Sequence, residues 1–132
     1  MIFLDTSAIF AMADRSDRHH RPALEAFANA LAGGETLVLS SYVVAESAAL
    51  LQARIGIPSA RRFLAEVDRF RVEWIDETLH REAVQELARR GRRRLSLVDC
   101  ASFVVMRRLG IQVAHAIDPH FGQAGFRQLV SG

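Results

Sequence analysis

The chain has 132 residues, 50% of them hydrophobic, and a formal net charge of +2, so it can bury a sizeable core without staples and one domain over residues 1–132 is expected. Its single cysteine, Cys100, rules out an internal disulfide, and its apolar setting at 98–105 fits a buried thiol in a reducing, cytoplasmic compartment. All 17 basic residues are arginine, and without lysine neither a P-loop nucleotidase nor Schiff-base chemistry is available.

Residues 2–4 are a short apolar run that predicts a buried strand, and any of Asp5, Thr6 and Ser7 can cap the helical pattern around Ala8 to Ala13. The apolar stretch Ile9–Ala13 superficially resembles a leader peptide, but Asp5 interrupts it and no basic segment precedes it. No uncharged run approaches the roughly 18 residues of a membrane span, so a soluble, unprocessed protein is expected. Leu24, Phe27, Ala28 and Leu31 predict a helical face over 21–32, stopped by Gly33-Gly34, and Leu37–Leu39 predicts a second strand.

Ser40 or Ser41 caps a predicted helix through Arg54, and Pro58-Ser59 opens another that carries Phe63, Leu64, Val67 and Phe70. Val72–Ile75 predicts a third strand. Leu79, Ala83, Val84, Leu87 and Ala88 mark the next helix, closed by Gly91; 96–109 forms another, closed by Gly110; Ile111–Ile117 supplies a fourth strand. Strands alternating with helices imply a parallel sheet covered on both faces, in which ligands collect beyond the carboxyl ends of the strands.

Four of the acids stand where solvated surface charges are not expected. Asp5, Glu46, Asp99 and Asp118 each interrupt or end an apolar run. Separately, each has a simpler account. Asp5 can cap a helix, Asp99 can complete a capping box with Ser96, and Asp118 before Pro119 can begin a turn. Glu46 is harder to explain, because Val43, Val44, Ala45, Ala48, Ala49 and Leu51 make its helix apolar nearly all round. Four buried carboxylates near one another require a neutralising partner, for which a divalent cation is the simplest candidate.

Leu4-Asp5-Thr6-Ser7-Ala8, Val44-Ala45-Glu46, Leu95 through Ala101, and Asp118-Pro119-His120-Phe121 with Gly125-Phe126 together resemble the PIN domain, and within it the toxins of the VapC type. The resemblance runs over nearly the whole chain. It implies a three-layer α/β/α fold with a central parallel sheet, and an acidic pocket of Asp5, Glu46, Asp99 and Asp118 that binds Mg²⁺ or Mn²⁺ and cleaves RNA. It further implies a homodimer and a small antitoxin as partners. Thr6 and Ser96 match family hydroxyls that orient the carboxylates or bound water. Ala116 replaces a hydroxyl found in many members, and Pro119 and His120 stand where some carry an extra acid, so one resident metal is expected before substrate arrives.

Metal-activated water would leave 5′-phosphate and 3′-hydroxyl ends. A metal-free ribonuclease would instead need two converging histidines from among His19, His20, His80, His115 and His120, of which His19 and His20 diverge as sequence neighbours on a helix. His120, close to Asp118, is the candidate for substrate contact. Arg89, Arg90, Arg92, Arg93 and Arg94 around Gly91 read either as a solvated helix end or as a phosphate-contacting patch. An inert PIN-like binding module, an RNA-processing nuclease and a DNA nuclease remain as alternatives; a phosphoacceptor receiver domain lacks its lysine.

Overall fold

The computed structural model describes residues 1–130. Five strands form one sheet: β1 (Ile2–Leu4), β2 (Leu37–Ser40), β3 (Arg71–Glu73), β4 (Val113–His115) and β5 (Arg127–Gln128). All neighbours run parallel, in the order β3-β2-β1-β4-β5. The chain therefore builds outward from β1 on one side, then returns to add β4 and β5 on the other. That reversal places a topological switch point between β1 and β4, the crevice where open α/β sheets bind ligands. Every residue of β1 and β2 is buried, as strands covered on both faces must be.

The connections are helical: α1 (Thr6–Ala13) and α2 (His20–Ala32), α3 (Ser41–Arg54) and α4 (Ile57–Glu66), α5 (Glu77–Arg90) and α6 (Leu97–Leu109), and the short α7 (His120–Gln123). With right-handed crossovers, reversal after β3 carries α5 and α6 to the face opposite α1–α4, giving the expected three layers. No helix among the described residues is long and apolar enough to cross a membrane. Local signals set most boundaries. Asp5, Ser40, Asp76 and Ser96 cap α1, α3, α5 and α6 through their side chains, each satisfying an amide that the first helical turn leaves free. Gly91 (φ 58°) and Gly110 (φ 69°) end α5 and α6 in the left-handed region, where a Cβ would be strained.

Several expectations shift. In α2 the buried residues are Ala23 and Ala30, with Phe27 packed against the core, while Leu24 and Leu31 are exposed. Small side chains let α2 approach closely, and the leucines fall to either side of the contact. Helix α4 begins at Ile57 and gives way to a 3₁₀ turn over Val67–Arg69, so Phe70 lies beyond it. The third strand spans Arg71–Glu73 rather than 72–75 and leaves Trp74 76% exposed. The fourth is confined to three residues by its short neighbours, and β5 and α7 follow without having been predicted. Cys100 is buried as expected.

One buried acid lies away from the four candidates. Glu86 on α5 is 1% exposed; it accepts from Arg90 Nε at 2.8 Å and pairs with Arg107 of α6. Burial pushes its carboxyl upward, but Arg107 and Arg90 outweigh this and hold it below the ordinary glutamate range. A depressed folded pKa stabilises above the unfolded value and loses that contribution as pH falls through the folded one. Glu86→Gln should therefore cost about 2–3 kcal/mol at pH 7, and the gap to wild type, followed by urea unfolding, should narrow as pH drops below 4.5.

Candidate active site

Asp5 follows β1 directly, and its amide donates to the His115 carbonyl at 3.0 Å, extending the β1–β4 ladder to the switch point. Its backbone is extended where α1 begins, so its side chain caps the helix. Oδ2 accepts from the Ser7 amide at 3.0 Å and the Ser7 hydroxyl at 2.7 Å. Oδ1 is buried and has no hydrogen-bond partner. The capping role read in sequence is real, but it occupies one oxygen and leaves the other open.

Glu46 reaches the same place from α3, one turn beyond Tyr42. The Thr6 hydroxyl, which accepts from Ser47 Oγ at 3.0 Å, favours its charged form. Asp99 lies in the first turn of α6, where Ser96 and Asp99 form a complete capping box: Asp99 Oδ2 accepts from the Ser96 amide at 3.0 Å, and Ser96 Oγ accepts from the Asp99 amide at 3.0 Å. Asp118 follows β4 by three residues and is partly open, its side chain 41% exposed. His120 Nε2 lies 3.2 Å from Asp118 Oδ1, and its Nδ1 is buried without a partner.

The four carboxylates sense one another. Burial lifts the Asp5 carboxyl from 3.8 to about 7; the two Ser7 bonds oppose this, and Asp99 and Glu46 add to it by repulsion. Burial likewise raises Glu46, with Asp99 and Asp118 contributing. Asp99 is raised by burial and by Asp118, against Ser96 and His120. The fold thus gathers residues from β1, α3, α6 and the β4–α7 loop into one anionic neighbourhood. Among the described residues, however, no three of these side chains form a closed metal-ligand set. The donor set still fits a hard divalent cation, since it consists of carboxylate oxygens and includes one buried oxygen with nothing to bind it.

The arginine run separates into two groups. Arg89 and Arg90 turn toward Glu86, at 3.8 and 2.8 Å, and the Arg90 guanidinium lies 5.3 Å from the Phe103 ring centroid. Arg92 donates to Gln123 Oε1 at 2.7 Å. Arg93 and Arg94 are exposed and make no ion pair among the described residues. Phe121 meets the Phe103 ring edge-on inside the core, and the partly buried Phe126 packs against the same ring at a tilt.

Ser7 is the site residue that the sequence did not single out. Besides donating to Asp5, its hydroxyl accepts from the Ile117 amide at 2.9 Å and the Asp118 amide at 3.2 Å. One hydroxyl therefore fastens the first acid to the loop that carries the last. Gln128 of β5 braces the same loop, donating to the carbonyls of Ala116 and Asp118 at 2.8 and 3.0 Å and accepting from the Gly122 amide at 2.7 Å. Contacts across 110 residues leave no local trace; only the second hydroxyl in Asp5-Thr6-Ser7 could have drawn notice.

A sequence-family model, the PIN domain, matches residues 2–127. The 23S rRNA-specific endonuclease VapC20 of Mycobacterium tuberculosis is 36% identical over 130 residues, spanning 96% of this chain and 95% of that protein. The crystal structure of Mycobacterium tuberculosis VapC20, a sarcin–ricin-loop-cleaving toxin, matches with a TM-score of 0.87 at 34% identity, covering 96% of each chain. FitAcB from Neisseria gonorrhoeae matches with a TM-score of 0.67 at 14% identity, over 97% of this chain and 96% of that one, a likeness of fold.

Asp5 should make the metal-free protein less stable as pH rises. A carboxyl with a folded pKa of about 7 and an ordinary value of 3.8 binds its proton more tightly in the folded state. Its ionisation therefore opposes folding increasingly from about pH 4 to about pH 7. In chelator, Asp5→Asn should match wild type near pH 4 and exceed it by up to about 4 kcal/mol above pH 7. Chemical denaturation across that range checks this; two parallel stability curves would contradict it.

Proposed function

The chain belongs to the PIN domain family, and from that premise we propose that it is a divalent-metal-dependent endoribonuclease, the toxin of a toxin–antitoxin pair. Likeness to a 23S rRNA-specific endonuclease over nearly the full length of both chains supports a ribosomal RNA hairpin, the sarcin–ricin loop, as substrate. The observation that carries the reading is the buried, unpartnered Oδ1 of Asp5 among three further carboxylates at the β1–β4 switch point. A pocket kept as an inert scaffold has no reason to retain that cost.

Asp5 and Asp99 hold the Mg²⁺ or Mn²⁺ ion directly in this reading, and Glu46 and Asp118 complete the site directly or through water. When bound, the ion supplies charge neutralisation and a more acidic water. Ser7 keeps Asp5 Oδ2 engaged so that Oδ1 stays presented. Ser96 fixes Asp99 through the reciprocal cap, and Thr6 favours ionised Glu46. His120 sits beside Asp118, in position to contact the RNA. Arg93 and Arg94, with Arg92, precede Ser96 on the α5–α6 loop and give the substrate backbone a basic wall. Arg89 and Arg90 contribute through the Glu86 brace.

Water attacking phosphorus with departure of the 3′ oxygen leaves a 5′-phosphate and a 3′-hydroxyl. Two of the five histidines are committed elsewhere and do not serve the alternative 2′-hydroxyl route: His115 is buried against the Ala23 carbonyl at 2.9 Å, and His80 is paired with Tyr42. A small antitoxin that covers the acids, assembly as a homodimer and residence in the cytoplasm complete the proposal.

With sarcin–ricin hairpin RNA and Mg²⁺, wild type should cut once and leave ends that a 5′-phosphate-dependent exonuclease accepts. Asp5→Asn and chelated wild type should both be inactive, and Mg²⁺ should raise the melting temperature of wild type but not of Asp5→Asn. Cyclic phosphate ends, or undiminished cutting in chelator, would refute the mechanism. Ser7→Ala tests the clamp: cleavage should fall about 10–100-fold, as when an outer partner of a ligand is removed, while the far-ultraviolet spectrum stays that of wild type. Activity within twofold of wild type would show that Ser7 orients nothing.

A further inference from the structure

Next to the acids lies a cleft that shares Ser7 and Asp118 with them but whose other walls the catalytic reading does not use. This cleft of about 710 Å³ opens beside Asp118 and Ser7, between α1, the 14–19 loop, α3 and the β4–α7 loop. The volume lies in the range of small-molecule sites. Phe10, Leu50 and Ile117 line it with apolar surface, and Asp17 and His19 bring polar groups. Leu50 is one turn from Glu46 on α3, so the cleft and the acids share that helix as well as Ser7 and Asp118.

Its outer wall is held in place before any ligand arrives. Asp17 Oδ1 accepts from the His19 amide at 2.8 Å and lies 3.5 Å from the His19 ring. His20 Nδ1 lies 2.9 Å from the Ala11 carbonyl and pins the end of the loop to α1. His19 lines the cleft, and among the described residues its Nε2 makes no hydrogen bond to protein. The opposite wall is set by Gln128, whose amide is fully used in holding the β4–α7 loop. The charged lining of the cleft is Asp17 and Asp118; Arg15, Arg18 and Arg21 are exposed on the neighbouring segment and do not line it.

An apolar slot that carries two rings, Phe10 and His19, beside the acids suits an unstacked nucleobase, which is how single-stranded RNA loops are read. We propose that this cleft receives one nucleoside of the RNA substrate, extruded from the strand next to the scissile phosphate, and that His19 is the residue that recognises it. The inference rests on the nuclease reading above. It adds a specificity pocket that neither the four acids nor the α5–α6 arginines provide. Preformed walls reduce the ordering that binding must otherwise supply, which favours discrimination by fit.

The test uses the full chain, Mg²⁺ and the sarcin–ricin hairpin, with each nucleotide flanking the cut replaced in turn by an abasic one. In wild type one such replacement should lower kcat/KM by about tenfold, mainly through KM, the size of one lost base stack. His19→Ala should lose about as much on intact RNA and nothing further at that abasic position. Leu50→Trp, which fills the slot from α3, should behave like His19→Ala. Wild type that cuts the intact hairpin but shows the same abasic penalties as both variants would overturn the pocket and leave the nuclease reading standing. If wild type does not cut, the nuclease reading fails, and anisotropy of labelled hairpin with metal-free protein decides the pocket. Binding weakened by the abasic position and by His19→Ala, without additivity, retains it; binding indifferent to either, or no binding, overturns it.

Discussion

Like charges do not gather in a protein interior unless the fold compels them, and here compulsion comes from the place where the sheet reverses its winding. β1 and β4 are adjacent and parallel, so residues just past their carboxyl ends share one crevice. Asp5 and Asp118 occupy those positions. Helices α3 and α6 touch one another and bring Glu46 and Asp99 to the same crevice from opposite layers. Burial, with a smaller addition from repulsion by Asp99 and Glu46, lifts Asp5 to about 7. A cation relieves both effects at once, and the open oxygen of Asp5 is where it would do so.

Holding repelling groups together requires restraint elsewhere, and the molecule supplies it by two kinds of contact. Ser7 and Gln128 fasten the β4–α7 loop to β1, α1 and β5 through neutral hydrogen bonds, which add little to the local charge. Behind the site, Glu86 ties α5 to α6 through Arg90 and Arg107, fixing the helix that carries Asp99. The same acid draws Arg90 toward the core side of the helix end, with Arg89 at its exposed margin, and leaves Arg93 and Arg94 toward solvent. A run of arginines that reads as one patch is thereby divided between an ion-pair brace and an exposed loop.

What was legible in the sequence is what local chemistry decides. Ser40 and Ser96 announce their helices because a hydroxyl can reach the amide three residues on, and Gly91 and Gly110 announce helix ends because only glycine adopts those angles without strain. The four acids stood out because each breaks an apolar run; Asp5 and Asp99 are buried as that pattern suggests, while Glu46 and Asp118 are only partly so. Ser7, β5 and the exposure of Leu24, Leu31 and Trp74 were not legible, because each depends on a neighbour distant in sequence. The buried face of α2 shows why: alanine marks close approach only once the partner surface is known. His19 was hidden for the same reason, as a loop residue whose meaning lies in Phe10, Leu50 and Ile117.

Convergence of the carboxylates is most directly measured by carboxyl-detected NMR titration of metal-free wild type and Asp99→Asn. Asp5 should titrate near neutrality in wild type, and its midpoint should fall when the neighbouring charge at Asp99 is removed. A midpoint near the ordinary 3.8, unchanged by Asp99→Asn, would mean that these acids stand apart and that no shared metal centre joins them.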